Sequence, residues 1–256
     1  MMWDWIEAIR EARSKAQRSV LMIVVADQGS SPRKKNAKML VFEDGRFLGS
    51  VGGGSLEKKA IEDALGCLAD GVSRLISYPL IKDKPDPCCG GSMEIYMEVL
   101  NDNPALYLFG AGHVGQAVSQ VLAGTPFTVH LIDERPEWID SEKIPPEIIR
   151  HPTPSLEFIN KADWNPDKTF VAIMTYDGGL DQEILKAILK RSTRYIGMIG
   201  SQNKWAIVRK NLKLTQAELK RIQCPLGQDN GGKSPKEIAV ALSNEILSIY
   251  HGVREF

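Results

Sequence analysis

The chain has 256 residues, enough for one large domain or two ordinary ones. It is 43% hydrophobic and 25% charged, and its 32 basic residues balance 32 acidic ones. A formal net charge of zero argues against nucleic acid or an anionic membrane surface as the main partner, because both call for a basic surplus. The opening segment MMWDWIEAIREARSKAQR carries too many charges for a signal-peptide core. The apolar run Val20 to Ala26 is far too short to span a bilayer, so the expectation is a soluble, cytoplasmic protein. Four cysteines are too few and too scattered for a disulfide scaffold, and the adjacent Cys88 and Cys89 suit neither zinc spacing nor an ordinary disulfide.

In chain order, Trp3 to about Arg18 places apolar residues at helical spacing amid charges, which predicts an amphipathic helix. Val20–Ala26 is β-branched and reads as a buried strand. Lys38–Phe42 and Arg46–Val51 flank Asp44-Gly45, a hairpin signal. Gly52-Gly-Gly-Ser55 then opens a helix to about Leu68, and Arg74–Ile81 and Met93–Leu100 read as two further strands. Hairpins mixed with helices, without regular alternation, predict an α+β domain over residues 1–101. Beyond the breaker cluster Asn101-Asp-Asn-Pro104 the pattern alternates regularly between strand and helix. Strands are expected at Leu106–Phe109, Thr128–Ile132, near Glu147–Arg150, at Phe170–Met174 and at Tyr195–Ile199, with helices to Leu122 and over 180–191 and 202–212. That alternation predicts an α/β, doubly wound parallel sheet of Rossmann type over residues 102–256.

The first strand of that second domain runs into Gly110-Ala-Gly-His-Val-Gly115. Gly110 permits a tight turn, Gly112 lets backbone N–H groups approach a phosphate, and Gly115 lets helix and strand pack closely. His113 is either a polar helix start or a group placed beside the bound phosphate, and Val114 completes the turn. About twenty residues on, the next strand ends at Asp133, a carboxylate placed to accept from a ribose 2′-hydroxyl. Arg135 beside it leaves room for a phosphate there instead.

Gly227-Gln-Asp-Asn-Gly-Gly-Lys-Ser234 matches the G-x-x-x-x-G-K-S phosphate loop letter for letter, but the context fails. Pro225 interrupts the segment before it and only one helix follows. Ser234-Pro-Lys-Glu237 explains itself as a capping box with proline at the first helical position. Three segments should end on the ligand side of the sheet: Thr175-Tyr-Asp-Gly-Gly, Gly197-Met-Ile-Gly-Ser201 and the loop carrying Lys233. They offer Asp177, Gly200, Ser201 and Lys233. In the first domain, Gly49-Ser-Val-Gly-Gly-Gly-Ser55 and Pro87-Cys-Cys-Gly-Gly91 are glycine loops suited to an anion nest, with Gly53, Ser55 and Cys89 the residues of interest. There is no catalytic triad, metal-ligand cluster or iron–sulfur cysteine pattern.

The combination of Ser30-Ser-Pro-Arg33, Ala37-Lys-Met-Leu40, Gly49-Ser-Val-Gly-Gly-Gly-Ser-Leu-Glu57 and Cys89-Gly-Gly91 resembles the N-terminal domain of the XdhC/CoxI family. Phe109–Gly115, Asp133-Glu-Arg-Pro136, Tyr195–Ser201 and the Gly227–Glu237 segment are similar to that family's Rossmann domain. The resemblance covers nearly the whole chain. It implies an accessory protein that binds molybdenum cofactor, supports its sulfuration with a cysteine desulfurase, and passes it to the apo-enzyme of a xanthine dehydrogenase-type molybdenum hydroxylase. On this expectation the cofactor's phosphate rests on Gly110–Gly115, its molybdenum end faces Cys89 and Ser55, and a homodimer is an allowed assembly. The alternative is an NAD-dependent oxidoreductase using the same turn and Asp133. Two departures stand out: Ser55 occupies a position where the family commonly has cysteine, and Thr175-Tyr-Asp-Gly178 replaces a common Thr-His-Asp-His.

Overall fold

Two units divide the chain, Met1–Asp102 and Asn103–Phe256, in a computed structural model that describes residues 5–15, 17–28, 33–80, 91–227 and 232–253. The first unit runs α1 (Trp5–Ser14), β1 (Ser19–Gln28), β2 (Lys38–Phe42), β3 (Phe47–Gly49), α2 (Gly54–Asp70), β4 (Arg74–Leu80) and β5 (Gly91–Leu100). Its strands form one antiparallel sheet in the order β3-β2-β1-β5-β4. Alternation along the strands sorts the side chains between two faces. Val20, Met22, Met39, Val41, Ile95 and Met97 meet Ala60, Ala64, Cys67 and Leu68 of α2. Leu21, Leu40 and Phe42 meet Ala12 of α1 on the other face. The hairpin forms at Asp44-Gly45, but β3 is shorter than its sequence suggests. Gly49 has φ +86°, and a Cβ there would lie 2.5 Å from the Lys38 carbonyl oxygen, so the strand stops at that glycine.

The second unit alternates β6 (Ala105–Phe109), α3 (His113–Leu122), β7 (Thr128–Ile132), α4 (Pro136–Ile139), β8 (Ile149–His151), α5 (Ser155–Lys161), β9 (Thr169–Ile173), α6 (Gly178–Ile188), β10 (Tyr195–Met198), α7 (Gln202–Leu212), α8 (Gln216–Leu219) and α9 (Pro235–Tyr250). All neighbouring strands are parallel, in the order β10-β9-β6-β7-β8. Strand order therefore reverses at β6, which is the Rossmann arrangement expected from the alternation. Leu106, Leu108, Val129, Leu131 and Phe170 pack beneath Val118, Leu122, Leu242 and Ile246 of α3 and α9. On the opposite face Tyr107, Phe109, Ile132, Val171 and Ile173 pack beneath Phe158, Ile184, Leu185 and Trp205 of α5, α6 and α7. Both faces are covered, so the strands read as near-continuous apolar runs.

Three short helices, α4, α5 and α8, lie where the sequence pattern gave none, because four to seven residues hold too few turns for periodicity to register. No helix among the described residues is long and apolar enough to cross a membrane.

Candidate functional site

The glycine turn joins the carboxyl end of β6 to α3, at the point where strand order reverses. Gly110 has φ +110°, and a Cβ there would come within 2.6 Å of the Met174 carbonyl oxygen. At Gly115 a Cβ would lie only 2.0 Å from the Gly110 carbonyl oxygen, so helix and turn touch directly. Gly112 is different: a Cβ there meets nothing within 4 Å, which leaves open space in front of the helix. No side chain caps the start of α3. The Gln116 N–H closes the first helical bond onto the Gly112 carbonyl at 2.9 Å, so His113, Val114 and Gly115 are the helix residues that present N–H groups and partial positive charge to whatever occupies that space.

Asp133 at the end of β7 is 7% exposed and carries four hydrogen bonds. Its Oδ2 accepts from the Ala111 N–H at 2.8 Å and from Arg135 Nη2 at 2.7 Å. Its Oδ1 accepts from the Arg135 N–H at 3.0 Å and from Arg135 Nε at 2.8 Å. Burial opposes ionisation, but the Arg135 guanidinium and the two backbone N–H groups outweigh it and hold the carboxyl below the usual aspartate range. A carboxylate offers about four lone-pair sites, and all are used here. The ribose role anticipated for Asp133 therefore meets an acid already committed to its own turn and to Arg135.

Arg135 is in turn part of an aromatic array. Its guanidinium lies 4.1 Å from the centre of the Tyr176 ring and 5.4 Å from that of Trp138. Trp138 meets the His113 ring edge-on at 5.0 Å. His113 is exposed, and Val114 packs against the core beneath it. A crevice of about 120 Å³ opens beside this array, lined by Gly110, Ile132, Asp133, Pro154, Leu156 and Tyr176 among others. From sequence, Arg135 stands only as a possible phosphate partner beside Asp133, and Trp138 carries no site signal of its own. The signal was present as an arginine three residues before a tryptophan just past a strand end.

The other ligand-side residues have local jobs. Asp177 caps α6, its Oδ1 accepting from Gly179 and Leu180. Ser201 caps α7 by accepting from the Lys204 N–H. Gly200 makes room for the Lys204 stem, since a Cβ would lie 2.9 Å from the Lys204 Cδ atom. Lys204 reaches Asp181 at 2.6 Å, and that fully buried carboxylate also accepts from the Thr175 N–H and hydroxyl. Asp181 and Lys204 thus fix the loop after β9, a pair that the sequence reading passed over. Lys233 is exposed and sits just before the α9 capping box, where Ser234 and Glu237 exchange the expected hydrogen bonds.

In the first unit, the loop before α2 is filled from within. Glu57 Oε2 accepts from the Ser50 hydroxyl at 2.6 Å, from the Gly53 N–H at 3.1 Å and from the Val51 N–H at 3.3 Å. Burial raises its pKa, yet these donors bring the net shift below the usual glutamate range. The anion in that nest is the chain's own carboxylate. Ser55 lies exposed on the first turn of α2. Cys89, with Cys88, lies outside the described residues.

A family model of the XdhC Rossmann domain matches residues 106–246, and one of the XdhC and CoxI family matches residues 12–79. The chain belongs to the XdhC and CoxI family. It is 31% identical over 233 residues to the uncharacterized protein YqeB of Escherichia coli K12, covering 88% of this chain and 42% of that one. It is 27% identical over 156 residues to a probable xanthine dehydrogenase subunit of Bacillus subtilis 168, covering 60% and 45%. A third relative, the molybdenum cofactor insertion chaperone PaoD of E. coli K12, is 38% identical over 68 residues, or 27% of this chain and 21% of PaoD. The chain thus spans less than half the length of the curated relatives it matches. A crystal structure described as a xanthine dehydrogenase from Bacillus halodurans shares the fold with a TM-score of 0.54 at 20% identity, covering 97% and 96% of the two chains. At Tyr176, where the resemblance implied an imidazole, the ring lies 4.1 Å from the Arg135 guanidinium.

A second cavity, of about 460 Å³, adjoins Tyr107, His130, His151, Phe158 and Lys161. His130 Nδ1 and His151 Nε2 are 2.9 Å apart, so one proton bridges the two rings. Burial first, and the neighbouring His151 second, push His130 down to about 3, while burial lowers His151 as well. Among the described residues there is no group of three or more His, Cys, Asp or Glu suited to a metal ion.

Proposed function

We propose that this chain is a binding and delivery protein for molybdenum cofactor, not a turnover enzyme. Kinship with the XdhC and CoxI family and with a molybdenum cofactor insertion chaperone supports the reading. The observation that carries it is the α3 N-terminus, which has no side-chain cap and faces open space at Gly112. By contrast α6, α7 and α9 fill their own first turns with Asp177, Ser201 and Ser234, and Glu57 fills the loop before α2. The backbone N–H groups at the start of α3 would hold the cofactor's phosphate, and the crevice beyond β6 would hold the adjoining part of the molecule. The bound group would supply the molybdenum centre that the recipient hydroxylase uses. Thiol contact at the molybdenum end, and sulfuration with a cysteine desulfurase before transfer to the apo-hydroxylase in the cytoplasm, complete the proposal. The NAD-dependent alternative needs a free acid for the ribose diol, and the four hydrogen bonds on Asp133 count against it.

The test is pterin retention. Protein loaded with cofactor without oxygen should release a fluorescent pterin, stoichiometric with the chain, on oxidation. Gly112→Asp should retain about tenfold less. Its carboxylate occupies the open space and repels phosphate, while Asp is a favoured N-cap that leaves the melting temperature intact. Wild-type protein that retains no pterin would overturn the proposal.

A further inference from the structure

We propose that the outer face of α6 and α7 is a docking surface for a protein partner that presents acidic side chains around an apolar contact. The inference rests on the delivery reading only for the need of a partner.

The charge of this chain is balanced as a whole but not in place. Residues 186–221 hold ten lysines and arginines against a single acid, Glu218. That acid is engaged in the α8 capping box, where its Oε2 accepts from the Thr215 N–H and hydroxyl. Folding then sorts the cations by kind. Arg221 donates from Nη1 and Nη2 to the Leu189 and Arg191 carbonyls, Arg191 donates to Asn160, and Arg209 lies over the Trp205 ring at 5.7 Å. Three of the four arginines are thus engaged with the chain itself. Lys186, Lys190, Lys210, Lys213 and Lys220 are all exposed, and none of them forms an ion pair with a described residue.

Contacts within the unit put these lysines on one face. Gln182, Lys186 and Lys190 recur at four-residue spacing on α6, apart from its buried Asp181, Ile184, Leu185 and Ile188. Asn211 of α7 donates to Gln182 Oε1 at 3.0 Å, so the last turn of α7, with Lys210 and Lys213, lies beside that stripe. The two Arg221 hydrogen bonds hold the neighbouring Lys220 near the end of α6. Ile207 precedes Asn211 by one helical turn and is 59% exposed, so an apolar side chain stands among the ammonium groups. Glu183 is the one exposed acid on α6, and α7 has none.

The make-up of this face selects among polyanions. Arginine, whose fork reads phosphate, is mostly turned inward, while lysine, a compact point charge, is left outside. Lysines around an exposed isoleucine match the rim and centre of a protein interface. Zero net charge leaves little attraction for a polyanion such as nucleic acid beyond a Debye length of about 10 Å. A local lysine face still speeds encounter with an acidic protein surface and sets its register.

A fluorescein-labelled, glutamate-rich peptide of about 20 residues with leucine at one-turn spacing is the probe, read by anisotropy at low salt. Wild-type protein should bind it at least about tenfold more tightly than the same peptide with glutamine for glutamate, and more weakly as salt is raised. Lys210→Glu combined with Lys213→Glu should weaken binding about tenfold, and Ile207→Ser about threefold. Lys58→Glu combined with Lys59→Glu, the same charge change on α2, should leave it unchanged. Thermal melts separate a lost surface from a lost fold, and the wild-type preference stands without any variant. Absence of peptide binding, undiminished binding in the folded α7 variants, or an equal loss in the α2 control would overturn the inference. So would tighter binding of a single-stranded oligothymidylate of the same length, or of anionic phospholipid vesicles. Pterin plays no part in these titrations, so their failure and that of the cofactor-delivery reading are separate results.

Discussion

Two glycine loops in this chain look alike as sequence and end up opposite in chemistry. Gly52-Gly-Gly-Ser55 and Gly110-Ala-Gly-His113 each lead from a strand region into a helix whose first turn needs hydrogen-bond acceptors. The fourth residue of α2 is Glu57, and its carboxylate folds back onto the Ser50, Val51 and Gly53 donors. The fourth residue of α3 is Gln116, which is neutral and donates instead to the Trp138 carbonyl at 3.4 Å. Asp133 takes the Ala111 N–H in the second loop, so the difference lies at the helix start: one acid against one amide separates a first turn that the chain fills itself from one that it leaves uncapped. Glycine spacing alone marks a possible anion site; the residue one turn into the helix decides whether the protein supplies the anion.

The contrast can be broken most severely at Gly115. Gly115→Ala forces a Cβ to within 2.0 Å of the Gly110 carbonyl oxygen, and neither backbone can yield. The expected outcome is a loss of about 3 kcal/mol or more, seen as a sharply lowered melting temperature, with cofactor retention abolished. A melt like that of wild type would show that the turn tolerates displacement. The two units should also differ in acid. His130 is half-buried, and desolvation with the neighbouring His151 puts its folded value at about 3 against an ordinary 6.5. The unfolded chain then binds more protons between those values, so stability falls as pH drops below 6.5, by up to about 1.4 kcal/mol per pH unit for that one group. Denaturant midpoints from pH 7 to 4 should show this slope, and His130→Gln should flatten it. The smallest effect is expected at Glu57. Glu57→Gln leaves loop donors less well satisfied and should cost about 1 kcal/mol. The wild-type contribution is full above the ordinary glutamate value and fades as pH falls through the lowered folded one. A variant as stable as wild type at pH 7 and at pH 4 would mean that Glu57 does not close the first loop.

Much of this architecture was legible in the chain itself. β7 and α7 lie where periodicity puts them, at Thr128–Ile132 and Gln202–Leu212, because long apolar and helical patterns survive folding. The Ser234–Glu237 capping box was also legible, since its chemistry is confined to four residues. Asp133 was legible as a position but not as a partner. Whether a strand-end acid faces a ligand or turns to an arginine two residues on depends on side-chain geometry that spacing does not encode. The Asp181–Lys204 pair spans 23 residues and two loops, so only the fold brings it together. The thiol expectation at Cys89 falls outside the described residues and stands as part of the proposal.

Asp133 also sets a limit on how the site can be adjusted. One of its oxygens is a knot tied to both the turn and the guanidinium, through Ala111 and Arg135. A pull on the arginine is thereby a pull on the loop. Grip and stiffness share a single fastening in this protein, so a substitution that relaxes one to hasten release slackens the other at the same stroke.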